Sequence, residues 1–225
     1  MNQQMIEQEN WKILVIDDHE LVIGGTIDIL QKHYPNAEIV TAQTAQDSLK
    51  AMASFSPDVI VMDLSIPEQT GEIARTDVGL QLLKNLMKKY PEINFVVQSA
   101  HARTLVRIKQ EIDSHKGGFT IADKSLSRQE MLTRVNWALQ GLTHTKDIKS
   151  IQAGLEFKPE WLKVLELAYQ EGLQDKAIAD RLNVSERMVR HYWTKLQDAL
   201  NVYPEEGKNI RIQTEMRARE EGLID

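Results

Sequence analysis

Along residues 11–140, hydrophobic and polar positions form two alternating textures. Short unbroken apolar runs, such as Ile13-Leu14-Val15-Ile16, Val59-Ile60-Val61-Met62 and the segments 93–98 and 119–122, are rich in β-branched or aromatic residues. Runs of this kind read as strands buried on both faces, the habit of a parallel sheet. Between them lie longer stretches of helical period, at 19–33, 45–55, 78–90, 103–114 and 127–139. Tyr34-Pro35, Ser56-Pro57, Pro91 and Gly117-Gly118 close the first four, as Pro and Gly do at element ends. Ser127-Arg128-Gln129-Glu130 has the pattern of a capping box and opens the fifth. With a short strand at 38–41, five strands alternate with five helices, which predicts a parallel sheet covered on both faces. Residues 142–156 are polar and lack a period, so they read as a linker. From residue 157 onward every period is helical. Pro159 suits a first turn, and Glu171-Gly172 ends that helix. A short helix at 175–182 leads through Asn183-Val184 to Ser185, which reads as the N-cap of a helix running to Leu200. A last helix spans 210–221 and stops at Gly222.

Composition narrows the picture. The 225 residues suffice for two domains, and 42% apolar with 27% charged residues marks a globular chain. There are no cysteines, so disulfide and thiolate chemistry are excluded. No apolar stretch approaches the ~20 residues of a membrane span, and residues 1–10 lack the pattern of a secretory signal. A cytoplasmic chain is expected. The net charge of −6 argues against a purely electrostatic nucleic-acid binder, so any DNA contact must come from a local patch.

The polar residues at the strand ends carry the chemistry. Asp17 and Asp18 follow the first strand, Asp63 the third, Ser99 the fourth and Lys124 the fifth. Open α/β sheets place their sites at the carboxyl ends of the strands. Clustered carboxylates attract a cation, and hard oxygen ligands suit Mg²⁺. A carboxylate beside a divalent ion can attack phosphorus to form an acyl phosphate. The Ser99 hydroxyl and the Lys124 ammonium would then serve the new phosphoryl oxygens.

Val15-Ile16-Asp17-Asp18-His19, Met62-Asp63-Leu64-Ser65-Ile66-Pro67, Ser99-Ala100 and Lys124-Ser125 together resemble the receiver domain of two-component response regulators over residues 11–141. The resemblance implies a flavodoxin-like fold, with Asp63 as phosphoacceptor from a sensor histidine kinase. It implies Mg²⁺ held by Asp18, Asp63 and the Ser65 carbonyl, with Asp17 acting through water. It gives Ser99 and Lys124 phosphoryl-binding roles. Three features depart from that pattern. Residues 72–77 lengthen the loop beside the site. Ile121 stands where an aromatic that moves on activation is usual, with Phe119 the nearest aromatic, so these two mark the switch region. Asp123 replaces an apolar residue before Lys124. His19 and His101 flank the site and read as loop or cap residues.

On a helix of about 100° per residue, Val189, Trp193, Leu196 and Leu200 form one stripe that must face a core. Arg187, His191, Thr194 and Lys195 lie opposite, flanked by Arg190. Basic and hydroxyl residues on a free helix face suit a recognition helix in a major groove. Residues 151–225 hold 11 Lys and Arg against 14 Asp and Glu, so the patch is local. Val164-Leu165, Ala177-Ile178-Ala179, Leu182, Ser185, Met188-Val189-Arg190 and Leu200 resemble the LuxR/NarL-type helix-turn-helix over residues 157–225. The resemblance implies a DNA reader contacting promoter DNA through Lys176, Arg187, Arg190, His191, Thr194 and Lys195, and a homodimer when active. Glu160 and Trp161 depart from it in the first helix, and residues 204–209 are inserted before the last.

The expected function is that of a response regulator, phosphorylated on Asp63 and regulating transcription by binding DNA, and not an enzyme beyond phosphotransfer to itself. One alternative is a DNA-binding regulator that works without phosphorylation. Another is an Asp-nucleophile phosphatase of the haloacid dehalogenase kind. That class places an Asp two residues after its nucleophile, whereas Ser65 follows Asp63 and His19 follows Asp17.

Overall fold

A computed structural model describes residues 10–99, 102–144 and 157–224. The chain divides into two compact units.

In the first unit the strands are β1 (Lys12–Ile16), β2 (Glu38–Ala42), β3 (Val59–Met62), β4 (Asn94–Gln98), β5 (Phe119–Ala122) and β6 (Thr143–His144). They form one parallel sheet in the order β2-β1-β3-β4-β5-β6. The helices are α1 (Glu20–His33), α2 (Ala45–Ser54), α3 (Thr76–Lys89), α4 (Lys109–Ser114) and α5 (Arg128–Leu139). All four residues of β3 are buried, as its unbroken apolar run requires. Alternate strand residues face opposite sides of the sheet. Ile13, Val15, Val59, Val61, Val96 and Ala122 pack with Ile23 and Leu30 of α1 and Met131, Val135 and Ala138 of α5. Thr44 and Ser127 cap α2 and α5, and the capping box at Ser127 is complete.

Four expectations need correction. The sheet has six strands, because Thr143–His144 pairs in parallel with β5. These residues fall in the stretch read as linker, and the remaining linker residues 145–156 lie outside the described residues. Two residues carry no readable period, and their place depends on tertiary contact, including the His144 ring 4.7 Å from that of Trp137. The helix expected over 103–114 is a 3-10 segment, Ala102–Ile108, followed by only six residues of α4. Thr104, Val106 and Ile108 are β-branched at every second position, which weakens an α-helix. The helix after the proline loop begins at Thr76 rather than Val78, so Thr76 and Asp77 form its first turn. The lengthened loop is also folded back, since Arg75 N–H donates to the Ile66 carbonyl at 3.0 Å.

The second unit is helical: α6 (Pro159–Tyr169), α7 (Asp175–Leu182), α8 (Glu186–Leu200) and α9 (Ile210–Glu220). Asn183 ends α7 in the left-handed conformation, with φ 53°. Ser185 then accepts a hydrogen bond from Met188 N–H and caps α8. The core holds Val164 and Leu165 of α6, Ile178 and Ala179 of α7, and Val189, Trp193, Leu196 and Leu200 of α8. Trp161 joins it at 6% exposure, so the residue that broke the expected motif is a core filler. The insertion at 204–209 ends in Asn209, which caps α9 by accepting from Arg211 and Ile212 N–H.

Candidate functional site

The carboxylates meet where β1 and β3, neighbours in the sheet, end together. Asp17 N–H donates to the Ala42 carbonyl at 3.2 Å and Asp63 N–H to that of Ile16 at 2.8 Å, so both backbones are tied to the sheet edge. Asp17 and Asp63 are only 3% and 4% exposed, which makes their charges costly unless they are paired. Lys124 supplies the pairing. Its Nζ donates to Asp17 Oδ2 and to Asp63 Oδ2, each at 2.8 Å. Burial pulls this ammonium towards losing its proton, but hydrogen bonds to Asp17 and Asp63 outweigh that and hold its pKa above the ordinary lysine value. Asp63 Oδ1 accepts the Leu64 N–H at 2.7 Å, so each carboxylate oxygen of Asp63 has a donor.

Asp18 sits beside this pair with less cover. Its Oδ1 is buried and accepts no hydrogen bond among the described residues. The His19 ring lies close, with Nδ1 2.7 Å from Asp18 Oδ1 and 3.2 Å from Asp17 Oδ1. The contact to Asp18 is off the hydrogen-bonding line. His19 N–H also donates to Asp17 Oδ1 at 2.9 Å. His19 stands at the N-cap position of α1, as a loop or cap residue would, although its side chain makes no capping hydrogen bond and its ring lies against the carboxylates. His101 and Ala100 lie outside the described residues. Donor atoms of Asp17, Asp18 and His19 lie within 4.8 Å of one another. Asp63, expected as a third carboxylate ligand, is not in that group; the buried Asp18 Oδ1, with no hydrogen bond among the described residues, is the feature that fits a divalent cation.

Ser99 is fully buried at the end of β4, and its N–H donates to the Ala122 carbonyl at 3.1 Å. Ser65 lies two residues beyond Asp63 and is half-buried. Asp123 is exposed, and its Oδ1 accepts the Ser125 N–H at 2.8 Å. A carboxylate in place of an apolar residue is thus absorbed by a local turn. Phe119 and Ile121 are 0% and 1% exposed. Thr120 donates to the Arg134 carbonyl of α5, so Phe119 and Ile121 point to the opposite face, where Phe119 meets the ring of Phe95 at 6.4 Å.

In the second unit, Val189, Trp193, Leu196 and Leu200 are the buried residues of α8. Arg187, Arg190, His191 and Thr194 are exposed and Lys195 half-exposed, while Lys176 is exposed on α7. Arg190 pairs with Glu186 and Lys195 with Asp198, both at 3.8 Å. Such exposed intrahelical pairs contribute only about 0.3–0.5 kcal/mol and leave the cations available. A knot of polar groups under the helix was not legible in the sequence. Asp175 accepts Trp193 Nε1–H at 3.0 Å and the Arg211 guanidinium at 3.0 Å. Arg211 lies 3.7 Å over the Trp193 ring, and Tyr169 donates to the Arg211 carbonyl at 2.6 Å. One cluster thus fixes α8 to the three other helices.

The response regulator receiver domain family matches residues 13–136. The DNA-binding transcriptional activator DevR/DosR of Mycobacterium tuberculosis is 23% identical over 82% of this chain and 86% of its own. The transcriptional regulatory protein DegU of Brevibacillus brevis is 22% identical over 100% of this chain and 99% of its own. Among solved structures, RcsB dimers bound to two parallel DNAs give a TM-score of 0.60 at 18% identity, covering 94% of this chain and 98% of theirs. RcsB of Salmonella enterica bound to a promoter with the phosphomimetic BeF3⁻ gives 0.56 at 20% identity, covering 87% and 95%. At these identities the solved structures speak for the fold, and the receiver match covers more than half of the chain. With its buried, lysine-bridged carboxylates at the ends of β1 and β3, the chain belongs to the response regulators that carry a receiver domain.

Proposed function

We propose that this response regulator accepts a phosphoryl group on Asp63 from a sensor histidine kinase and regulates transcription as a DNA-binding homodimer. The observation that carries the phosphoacceptor role is the bridge from Lys124 to Asp17 Oδ2 and Asp63 Oδ2 at one sheet edge. One oxygen of Asp63 would attack phosphorus as the bond to the donor histidine nitrogen breaks, leaving an acyl phosphate. The other Asp63 oxygen stays in place, and Lys124 exchanges its hold on Asp63 for a phosphoryl oxygen. The buried Ser99 hydroxyl is the second donor expected there. Asp17, Asp18, Asp63 and the Ser65 carbonyl would hold Mg²⁺, which supplies charge neutralisation for the transferring phosphoryl group. No proton-donating carboxylate stands two residues after Asp63, so the phosphatase reading loses ground.

On the output side, α8 offers Arg187, Arg190, His191, Thr194 and Lys195, with Lys176 on α7, to DNA. Relatives named as DNA-binding regulators over most of this chain support that reading. Ile121 is small and packed, so activation would shift the β5 face with a muted side-chain movement, altering dimerisation.

The test is intact-mass measurement after treatment with acetyl phosphate and Mg²⁺, followed by DNA selection from random duplexes. The parent should gain one phosphoryl and Asp63→Asn none, and the retained DNA should contain an inverted repeat. Equal labelling of Asp63→Asn refutes the site. Enrichment unchanged by Arg190→Ala with Lys195→Ala refutes the DNA face. Labelling that leaves DNA affinity untouched favours regulation without phosphorylation.

A further inference from the structure

We infer that Gly79 is a positioning residue for the Asp63 site, acting through the backbone of Leu64. The inference rests on Asp63 being the phosphoacceptor.

Gly79 lies in the first turns of α3, where a glycine costs about 1 kcal/mol relative to alanine. Its packing gives the reason for it. A Cβ at Gly79 would fall 1.9 Å from the Leu64 carbonyl oxygen, 2.5 Å from its carbon and 2.7 Å from its Cα. These are all backbone atoms, so no rotamer relieves the clash. Restoring a tolerable contact moves helix or loop by about 1 Å, since real Cβ atoms essentially never approach within 3.0 Å.

The crowded atoms are the Leu64 Cα and the carbonyl of the Leu64–Ser65 peptide, and through that Cα they join directly to the peptide whose N–H braces the acceptor. Leu64 N–H donates to Asp63 Oδ1 at 2.7 Å. Leu64 is itself fully buried, which anchors its side chain while the backbone carries the brace. Ser65, whose carbonyl is the proposed cation ligand, follows directly. Absence of a Cβ at Gly79 thus sets where one oxygen of Asp63 and the next carbonyl stand. Lys124 holds the other oxygen from β5, so the two constraints are independent.

A matched control exists at the opposite edge of the sheet. Gly118 precedes β5, and a Cβ there would meet the Ala138 carbonyl oxygen at 2.2 Å, a clash of similar severity away from the carboxylates. The experiment compares the full-length parent with Gly79→Ala and Gly118→Ala. Urea unfolding gives the folded fraction, intact mass gives the labelling rate with acetyl phosphate, and calorimetry gives the Mg²⁺ affinity. Both variants should lose stability. Per folded molecule, Gly118→Ala should label at the parental rate, whereas Gly79→Ala should label up to about 100-fold more slowly, as a displacement near 1 Å at a reacting group can cause. Its Mg²⁺ affinity should fall with it. Equal rates and affinities for the two variants overturn the inference. If Gly79→Ala does not fold, amide NMR of the parent decides: on adding beryllofluoride, the Leu64 and Gly79 resonances should shift together while Gly118 stays. A stationary Gly79 beside a shifting Leu64 overturns the inference as well. A parent that labels only through Asp63 while Gly79→Ala labels normally removes this inference alone; an Asp63→Asn variant that labels removes the reading beneath it.

Discussion

Replacing Lys124 with methionine isolates the electrostatics of the site from its chemistry. The side chain keeps much of its length and loses its charge. Two hydrogen bonds of 2.8 Å vanish, and Asp17 and Asp63, at 3% and 4% exposure, are left as neighbouring buried anions. At an effective dielectric of ~20, each ion contact is worth about 4 kcal/mol of Coulomb energy before the cost of burying the lysine is deducted. Removing one partner of a buried pair costs about 3–5 kcal/mol. The Lys124 side chain is 26% exposed, so water already screens part of the interaction. The loss should lie at the lower end, about 3 kcal/mol, in metal-free protein. A divalent cation neutralises the same carboxylates, so Mg²⁺ should restore more stability to Lys124→Met than to the parent. Urea unfolding with chelator and with Mg²⁺ measures both effects. Lys84→Met breaks an exposed pair with Glu111 and serves as reference, with a loss below about 1 kcal/mol. If Lys124→Met costs no more than Lys84→Met, the lysine is a surface pair and the argument for a strained anionic cluster fails.

Two further outcomes are expected in the receiver unit. His115 has its Nε2 at 2.7 Å from the Ile93 carbonyl and a buried Nδ1 with no hydrogen-bond partner among the described residues; burial holds its pKa below the ordinary histidine value. The unfolded chain therefore binds a proton near pH ~6.5 that the fold resists, so stability present above that pH is lost as pH falls through the window beneath it; urea midpoints of His115→Gln should fall less steeply on acidification, and parallel profiles would contradict this. Gly24 and Gly25 are exposed inside α1 with nothing within 4 Å of an added Cβ, so Gly24→Ala and Gly25→Ala should each raise stability by about 0.5–1 kcal/mol, read as a higher melting temperature, and a loss would mean the helix needs those glycines for another reason.

The sequence by itself determined five of the six strands, most helices and the meeting of Asp17, Asp63 and Lys124 at one sheet edge. Apolar runs such as Val59 to Met62 admit little but a doubly buried strand, and a charge at the end of such a run is placed at the sheet edge. The α8 stripe of Val189, Trp193, Leu196 and Leu200 was equally legible, because a helix of constant pitch converts spacing into a face. Tertiary structure decided the rest. Strand β6 is two residues long and exists through its pairing with β5. The segment after β4 became a 3-10 turn where β-branched residues offset its apolar period. The Asp175, Trp193 and Arg211 cluster joins residues far apart in the chain. Gly79 is a single glycine in a helical pattern until the Leu64 backbone is brought against it. Periodicity reports which face is buried; only packing shows which atoms the buried face meets.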